Sequence, residues 1–420
     1  MYDFNEVRAN HFVKRCQQLE EMSKSREMIS FLNTALLDKD IEKIDTFSEL
    51  LRKQGKHWET NNVSDNIRNK NRLKIVYLLP HSGITGGMKI LIEQSNYLAA
   101  KGHDVLLYSH SPKPDWIECK SPYYLVHPEN NIYHMTPTAD VVIAGYWDLV
   151  VDALQVKAPL KYHFAQGDYD IFKFNQLDEN QKQVIDTAYT LPVKILTVSN
   201  IMIKKLNENF GRNAVLIPNA IDTKIFHAKK DISINKESLN ILLVGSDSID
   251  FKNHNVIIEA LCKLKSMGYQ FKLKWLTQNK LINDYSKKNL EVEEYIAPTQ
   301  KQIGNIYRDS DIYICASLYE SFALPVIEAM ACGTCVITSD NGGIDDYAKD
   351  NINCLVFQRK NIDELIEKIQ ALFDNPELRV ILAENGLKTA KKYTWAKSVN
   401  LLEKELLSAA ENTMQGVYTD

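Results

Sequence analysis

Ser317 to Cys335 read SLYESFALPVIEAMACGTC, and the fold is decided by how this stretch begins and ends. A β-rich run from Asp311 to Ala316 leads in. A helical apolar run (Val326, Ile327, Ala329, Met330) leads out and stops at Gly333. The short residues and single proline between them start the helix near Ala323 to Pro325, with Pro325 suited to the first helical position. A helix N-terminus at the carboxyl end of a parallel strand is a prepared anion site. Glu320 falls on the loop, and Glu328 falls in the opening turns of the helix. Either carboxylate could simply complement the positive helix end. Glu328, however, is set in PVIEAMA, where a carboxylate without partners is costly. Two vicinal hydroxyls are a natural bidentate partner, so the stretch suggests a ligand that joins phosphate to sugar.

Outward from this stretch, strand–loop–helix alternation runs through most of the chain. Strands are expected at Leu73 to Leu79, Asp104 to Tyr108, Asp140 to Ala144, Tyr162 to Ala165 and Lys194 to Val198, and Val215 to Pro218 closes this set. The alternation starts again at Leu239 to Gly245 and continues through Phe271 to Leu276, a short strand at Tyr295 to Ala297, Asp311 to Ala316, Cys335 to Thr338 and Cys354 to Val356. Helical spacing fills the gaps, including Trp147 to Gln155, Gln300 to Asp309 and Pro376 to Tyr393. Two restarts predict an α/β protein with two Rossmann-like doubly wound domains, at 71–225 and 226–393. A last helix at 394–420 is expected to cross back to the first domain. Residues 1–70 are different material, with apolar residues at helical spacing followed by a polar linker. They read as a helical extension that docks on the body or mediates an oligomer or partner contact through 1–60. Their nearly balanced charge argues against a purely electrostatic membrane anchor.

Composition narrows the possibilities. A net charge of −4 over 420 residues gives no electrostatic drive towards nucleic acid. No apolar run approaches the roughly 20 residues needed to span a bilayer. The N-terminus lacks the basic start and apolar stretch of a signal peptide, so the cytoplasm is the expected location. Seven scattered cysteines argue against a disulfide framework. Cys332 and Cys335 have redox spacing, but Cys332 falls at a helix end, whereas a reactive thiol sits at a helix start.

Two further stretches carry candidate chemistry. Gly86-Gly87 precedes the first helix. It reads equally as a tight turn and as a place where backbone amides approach a phosphate or sugar. After the Leu239 strand comes GSDSIDFKNH, Gly245 to His254, where Lys252 and Ser246 could meet a diphosphate. Lys252 by position alone is a surface lysine; Glu320 and Glu328 in the same sheet's crevice favour the ligand reading. Asp168-Tyr169-Asp170 mimics a metal-holding pair, but two aspartates are too few hard ligands, and no metal is expected.

These residues together resemble the retaining glycosyltransferases of the GT-B fold, specifically family 4, from about Leu73 onward. The resemblance is most specific across Asp309 to Gly343, including Tyr319-Glu320, Pro325-Val-Ile-Glu328 and Asn341-Gly342-Gly343. Lys101-Gly102-His103-Asp104, Val198-Ser199-Asn200 and Ile217-Pro218-Asn219 support it. It implies a cleft between the two domains and a nucleotide-sugar donor. Glu328 would hold the ribose and Glu320 the donor sugar. Ser321, Phe322, Ala323 and Leu324 would present backbone to sugar or diphosphate, Lys252 would offset the leaving charge, and Gly87 would lie close to the donor. It further implies metal-free front-side transfer, without cofactor, to a glycan, lipid-linked or protein acceptor in surface-glycan synthesis, with peripheral contact at the inner membrane face as an alternative location. Such chemistry needs charge stabilisation and a positioned acceptor, not a hydrolase carboxylate pair.

The chain departs from the pattern at four places. Ala323 and Cys335 stand where the family often has Gly and Pro. Ser246 or Asp247 stands where it often has Arg, and Gly145 replaces a histidine. Tyr146, His163, Gln166 and Asp168 are therefore the acceptor-side candidates. The Gln166-Gly-Asp168 segment resembles rhamnan-type surface-polysaccharide transferases and points to a deoxythymidine-diphosphate-rhamnose donor. Two alternatives stay open: a nucleotide-sugar epimerase of the same fold, which would cleave the same bond without an acceptor, and a non-catalytic scaffold subunit that binds a partner enzyme, which the replaced residues favour.

Overall fold

The computed structural model describes residues 71–127, 130–167, 179–228 and 238–414. The chain divides into two compact units. The expected helical extension lies outside the described residues. The first unit comprises the described residues up to Val198, then Met202–Ile217 and the chain from Ser398; the second comprises Ser199–Ile201 and Pro218–Lys397.

The first unit carries β1 (Lys74–Leu79), α1 (Gly86–Ala100), β2 (Asp104–Ser109), β3 (Tyr123–Leu125), α2 (Ile132–Met135) and β4 (Val141–Ala144). It continues with α3 (Val150–Gln155), β5 (Leu160–Ala165), α4 (Glu179–Thr190), β6 (Lys194–Thr197), most of α5 (Asn200–Phe210) and β7 (Ala214–Leu216). Its strands pair in parallel in the order β3-β2-β1-β4-β5-β6-β7. The central strands are unbroken apolar runs because helices cover both faces; Ile75 to Leu78 and Val141 to Ala144 are almost wholly buried.

The second unit repeats the plan. Its elements are β8 (Leu239–Val244), α6 (His254–Ser266), β9 (Phe271–Thr277), β10 (Val292–Ile296), α7 (Gln300–Arg308) and β11 (Ile312–Cys315). They are followed by α8 (Leu324–Ala331), β12 (Cys335–Ser339), β13 (Leu355–Phe357), α9 (Ile362–Asp374), α10 (Pro376–Ala390) and the start of α11 (Trp395–Met414). Strand order is β10-β9-β8-β11-β12-β13, all parallel. The order reverses between β8 and β11, and ligands in such sheets bind where the carboxyl ends of those two strands diverge. The core beneath that point includes Ile241, Leu243, Ile257, Leu261, Trp275, Ile314 and Ile337, all nearly inaccessible. Each large apolar side chain so buried contributes about 1.5–3 kcal/mol.

Details differ from the sequence expectation for local reasons. α8 starts at Leu324, so Pro325 takes the second helical position and Glu328 the second turn. The Tyr295 strand is longer than expected and ends at Ile296, because Ala297 turns left-handed with φ 44°. Trp147–Leu149 form a tight 3-10 turn ahead of α3 instead of its first turn. The three-residue β3 and four-residue α2 have too little periodicity to be legible. Cys332 and Cys335 are buried free thiols, at the end of α8 and the start of β12. No helix among the described residues is long and apolar enough to cross a membrane.

From Ser398 onward α11 belongs to the first unit, where two glutamates hold it. Glu403 accepts from Lys101 at 2.7 Å and lies 3.1 Å from His103 Nε2. Glu405 accepts from the Tyr162 hydroxyl at 3.0 Å. His103 Nδ1 takes the Leu73 amide, so its Nε2 carries the proton that reaches Glu403. Gly102, at φ 99°, lets the chain turn left-handed between these two cationic and imidazole donors. Burial opposes ionisation of Glu403, but the donors from Lys101 and His103 outweigh it and hold the carboxyl below its usual range. Its stabilisation is therefore present above the unfolded pKa of roughly 4.3 and is lost as pH falls through the lower folded value. Glu403→Gln is expected to lower unfolding free energy by about 1 kcal/mol at pH 7. In urea melts the difference from wild type should close at pH values below the carboxylate range; a pH-independent difference would contradict this.

Candidate functional site

The loops after β8 and β11 emerge from neighbouring strands, whose pairing sets Ile312 beside Ile241 and Tyr313 beside Leu242. Three successive links stitch these loops together. The Phe251 carbonyl accepts from the Leu318 amide at 2.7 Å. The Phe251 and Tyr319 rings stack with centroids 4.9 Å apart. Lys252 Nζ then reaches Glu320 Oε1 at 2.6 Å, with both side chains more than four-fifths buried. The Ser317 hydroxyl donates to the same Oε1 at 2.8 Å. Both contacts fall on Oε1, and no hydrogen bond reaches Oε2 among the described residues.

Underneath, each loop is tied to the core. The buried Trp275 indole donates to the Gly245 carbonyl at 2.7 Å, and Gly245 has φ 115°. Asp247 is one of the two residues, with Ser246, in the region where the resemblance leads one to expect an arginine. Its carboxylate accepts from the Ile282 and Asn283 amides, the Asn283 side chain and the Tyr285 hydroxyl. Burial works against its charge, but these donors prevail and keep its carboxyl below the ordinary range, so Asp247 is a loop anchor. Ser246 is bonded locally to Ser248 at 2.7 Å. On the other side, the Glu320 amide donates to the Asn341 carbonyl at 3.0 Å. A Cβ on Gly343 would lie 2.6 Å from Glu320 Cβ and 2.7 Å from its carbonyl oxygen, so Gly343 is a glycine because Glu320 occupies the space, while Gly342 has φ 82°.

The segment from Ser321 to Leu324 is shaped by hydroxyl groups behind it. Ser199 donates to the Ser321 carbonyl. The Tyr347 hydroxyl lies 3.0 Å from both the Phe322 and Ala323 carbonyls. Ala323 caps α8 in the left-handed region at φ 51°, the conformation for which glycine is the usual choice. With three consecutive carbonyls held from within, the N–H groups of Phe322, Ala323 and Leu324 find no acceptor among the described residues. They are the unsatisfied donors of a helix start, where the helix dipole favours negative charge. Glu328, 9% exposed, lies one turn further on; the Tyr307 hydroxyl is 3.4 Å from its Oε2. Burial and the adjacent carboxylate keep Tyr307 protonated and able to donate.

In the first unit, Gly86 and Gly87 open α1 behind the Thr85 cap. Gln166 Nε2 donates to the Gly87 carbonyl at 3.2 Å and would sit 3.3 Å from a Cβ there, so these two candidates meet. Tyr146 is half-buried against Trp147, with centroids 5.9 Å apart. His163 is a core residue instead of an acceptor-facing one. It is 1% exposed and packed on Tyr189, and burial, with Arg212 nearby, pushes its pKa down to about 3. Asp168 lies outside the described residues. At Gly145 a Cβ would come within 2.6 Å of Leu91 Cδ1 and 3.0 Å of the Leu78 carbonyl oxygen, so α1 and β1 leave no room for a histidine.

Sequence reasoning did not reach Ser317, Tyr307, Phe251 or Tyr347 as parts of the site. Tyr347 carries no local signal: it lies 24 residues from Ala323, and only the tertiary fold joins them.

Comparison with known proteins places this geometry. The two units are the Rossmann-like pair of the GT-B fold. The chain is similar to sucrose-phosphate synthase from Thermosynechococcus elongatus, with TM-score 0.69 and 18% identity over 80% of this chain and 99% of that one. It is also similar to Anabaena Alr3699/HepE in complex with UDP-glucose, with TM-score 0.68 and 16% identity over 80% and 100% of the two chains. Residues 225–389, which contain Lys252, Glu320 and Glu328, match the family model for glycosyl transferases group 1. An uncharacterized glycosyltransferase of Methanocaldococcus jannaschii is 30% identical over 215 residues, 50% of this chain and 58% of that protein. The chain thus spans little more than half the length of that curated relative.

Tyr347→Phe deletes the single hydroxyl donor shared between two buried carbonyls and is expected to cost about 1–3 kcal/mol of stability. Urea melts check this, and an unchanged midpoint would show that the loop is held by something else.

Proposed function

We propose that the protein is a retaining glycosyltransferase that uses a nucleoside-diphosphate sugar and builds a surface polysaccharide or related glycan. The observation that carries this reading is the set of three unclaimed amides at Phe322, Ala323 and Leu324, flanked by Lys252–Glu320 and Glu328. An anion fits the amides, and the two carboxylates on either side suit hydroxyl groups of the sugar and of the ribose. The family match across 225–389 supports the same class.

In the proposed reaction the acceptor hydroxyl attacks the anomeric carbon, and the bond from that carbon to the β-phosphate oxygen breaks. The hydroxyl proton passes to the departing phosphate on the same face, so configuration is retained. Negative charge grows on the diphosphate, where Lys252 and the loop amides are already oriented and no reorganisation is needed. Lys252 exchanges part of its bond with Glu320 for phosphate, and Glu320 Oε2 takes a donor-sugar hydroxyl. Charge compensation by the protein is the basis for proposing a metal-independent enzyme. The UDP-glucose bound to the Anabaena protein makes uridine diphosphate hexoses the first donors to test, ahead of deoxythymidine-diphosphate-rhamnose. The acceptor is proposed as a glycan, lipid-linked or protein hydroxyl, with Tyr146 and Gln166 as its candidate neighbours.

Glu320→Ala is expected to lower kcat by at least about tenfold with the identified donor, and Glu328→Ala to raise the donor KM by a similar factor; tenfold corresponds to about 1.4 kcal/mol. Full transfer by Glu320→Ala would remove that residue from the mechanism. Sugar rearrangement without any acceptor would instead favour an epimerase.

A further inference from the structure

The second unit contains a cavity of about 350 Å3 lined by Tyr347 but by no residue of the Ser321–Leu324 loop, and otherwise in part by Lys349, Lys388, Lys392, Asp346, Ile352 and Tyr393. Neither Lys252, Glu320 nor Glu328 lines it. Its lining carries three lysines against one aspartate. None of the three lysines is ion-paired among the described residues, and Lys388 Nζ donates to the side-chain Oδ1 of Asn385 at 3.1 Å. The one acidic group, Asp346, already accepts from the Asn200 amide and the Asn200 side chain at 2.9 and 2.8 Å. The floor is rigid and polar. Buried Asn353 donates to the Tyr347 carbonyl and to Thr389, and accepts from the Lys349 amide. Ile352, more than half exposed, and the Tyr393 ring supply apolar surface.

Three unpaired ammonium groups around a recess of this size attract a compact polyanion, and the apolar wall suits a small ring or carbon chain attached to it. We propose that this cavity is a second binding site, for a phosphorylated small molecule, separate from the donor loop. Its wall also makes it an effector position. The Tyr347 ring packs on Phe322 and Tyr393, with centroids 5.4 and 5.7 Å away, and its hydroxyl sets the two carbonyls of the donor loop. A ligand that fixes Tyr347 and Tyr393 therefore biases the loop that presents the amides, and by reciprocity a ligand at the loop biases the cavity.

The test is calorimetric titration of the full chain with inorganic pyrophosphate and with ribose 5-phosphate. Three proteins are compared: wild type, Lys252→Ala, and the pair Lys388→Glu with Lys392→Glu. The expected result is binding of at least one probe that survives Lys252→Ala and weakens at least tenfold in the double charge reversal. Lys388→Ala with Lys392→Ala serves the same purpose if the reversal fails to fold, as judged by circular dichroism. Binding lost in Lys252→Ala but unchanged in the lysine pair would place the phosphate at the donor loop and overturn the proposal. So would absence of binding by both probes at millimolar concentration. Co-sedimentation with phosphatidylglycerol vesicles that needs Lys388 and Lys392, without binding of either probe, would assign the lysines to a membrane surface and likewise overturn it. None of these outcomes depends on sugar transfer, so the proposed enzymatic function stands or falls separately.

Discussion

The Tyr347 hydroxyl shared between the Phe322 and Ala323 carbonyls is the contact on which the site depends. A peptide plane has two ends, and fixing the oxygens on one side commits the hydrogens to the other. Ser199 does the same for Ser321, so four residues of loop are oriented before any ligand arrives. The left-handed turn at Ala323 costs roughly 1–2 kcal/mol for an L-residue, and burial of the surrounding loop together with these hydroxyl contacts offsets it. Local strain of this kind persists where the neighbouring structure holds it in place, here by Tyr347, Phe322 and Tyr393 packed edge to face.

The charged half of the site follows a related logic. Lys252 and Glu320 come from different loops, and their meeting at 2.6 Å is prepared by a backbone bond and a ring stack at the residues just before them. A partly buried ion pair has paid its desolvation before substrate enters. In the proposed reaction, exchange of Lys252 from carboxylate to phosphate would then be a rearrangement among charges already largely out of water. Two glycines serve the same end by different means: Gly343 leaves room for the Glu320 backbone, and Gly245 adopts the positive φ of 115° that turns its loop.

Much of this was legible in the sequence, and the reason differs by residue. The two sheets announced themselves because buried parallel strands are continuous apolar runs that restart at Leu239. Glu328 stood out as a carboxylate in an apolar helix, and Lys252 by its place after the first strand of the second sheet. Ala323 and Gly145 were visible only as departures from a pattern. The structure gives one a left-handed turn and shows the other to be walled in by Leu91 and the Leu78 carbonyl. Tyr347, Ser199 and Phe251 were not legible as site residues because their roles arise from long-range contacts that no local spacing encodes. His163 was misread for a related reason: alternation along β5 gives its face of the sheet but not that Tyr189 covers it.

The central claim is that the amides of Phe322, Ala323 and Leu324, with Lys252, form a diphosphate site. The most direct measurement is thermal unfolding of the full chain with a matched series of nucleoside, nucleoside monophosphate and nucleoside diphosphate. A ligand at one hundred times its Kd adds about 2.7 kcal/mol of stability, well within reach of such an experiment. Stabilisation is expected to rise with the second phosphate for at least one base and to fall in Lys252→Ala. Equal stabilisation by nucleoside and diphosphate, or none by any diphosphate, would contradict it.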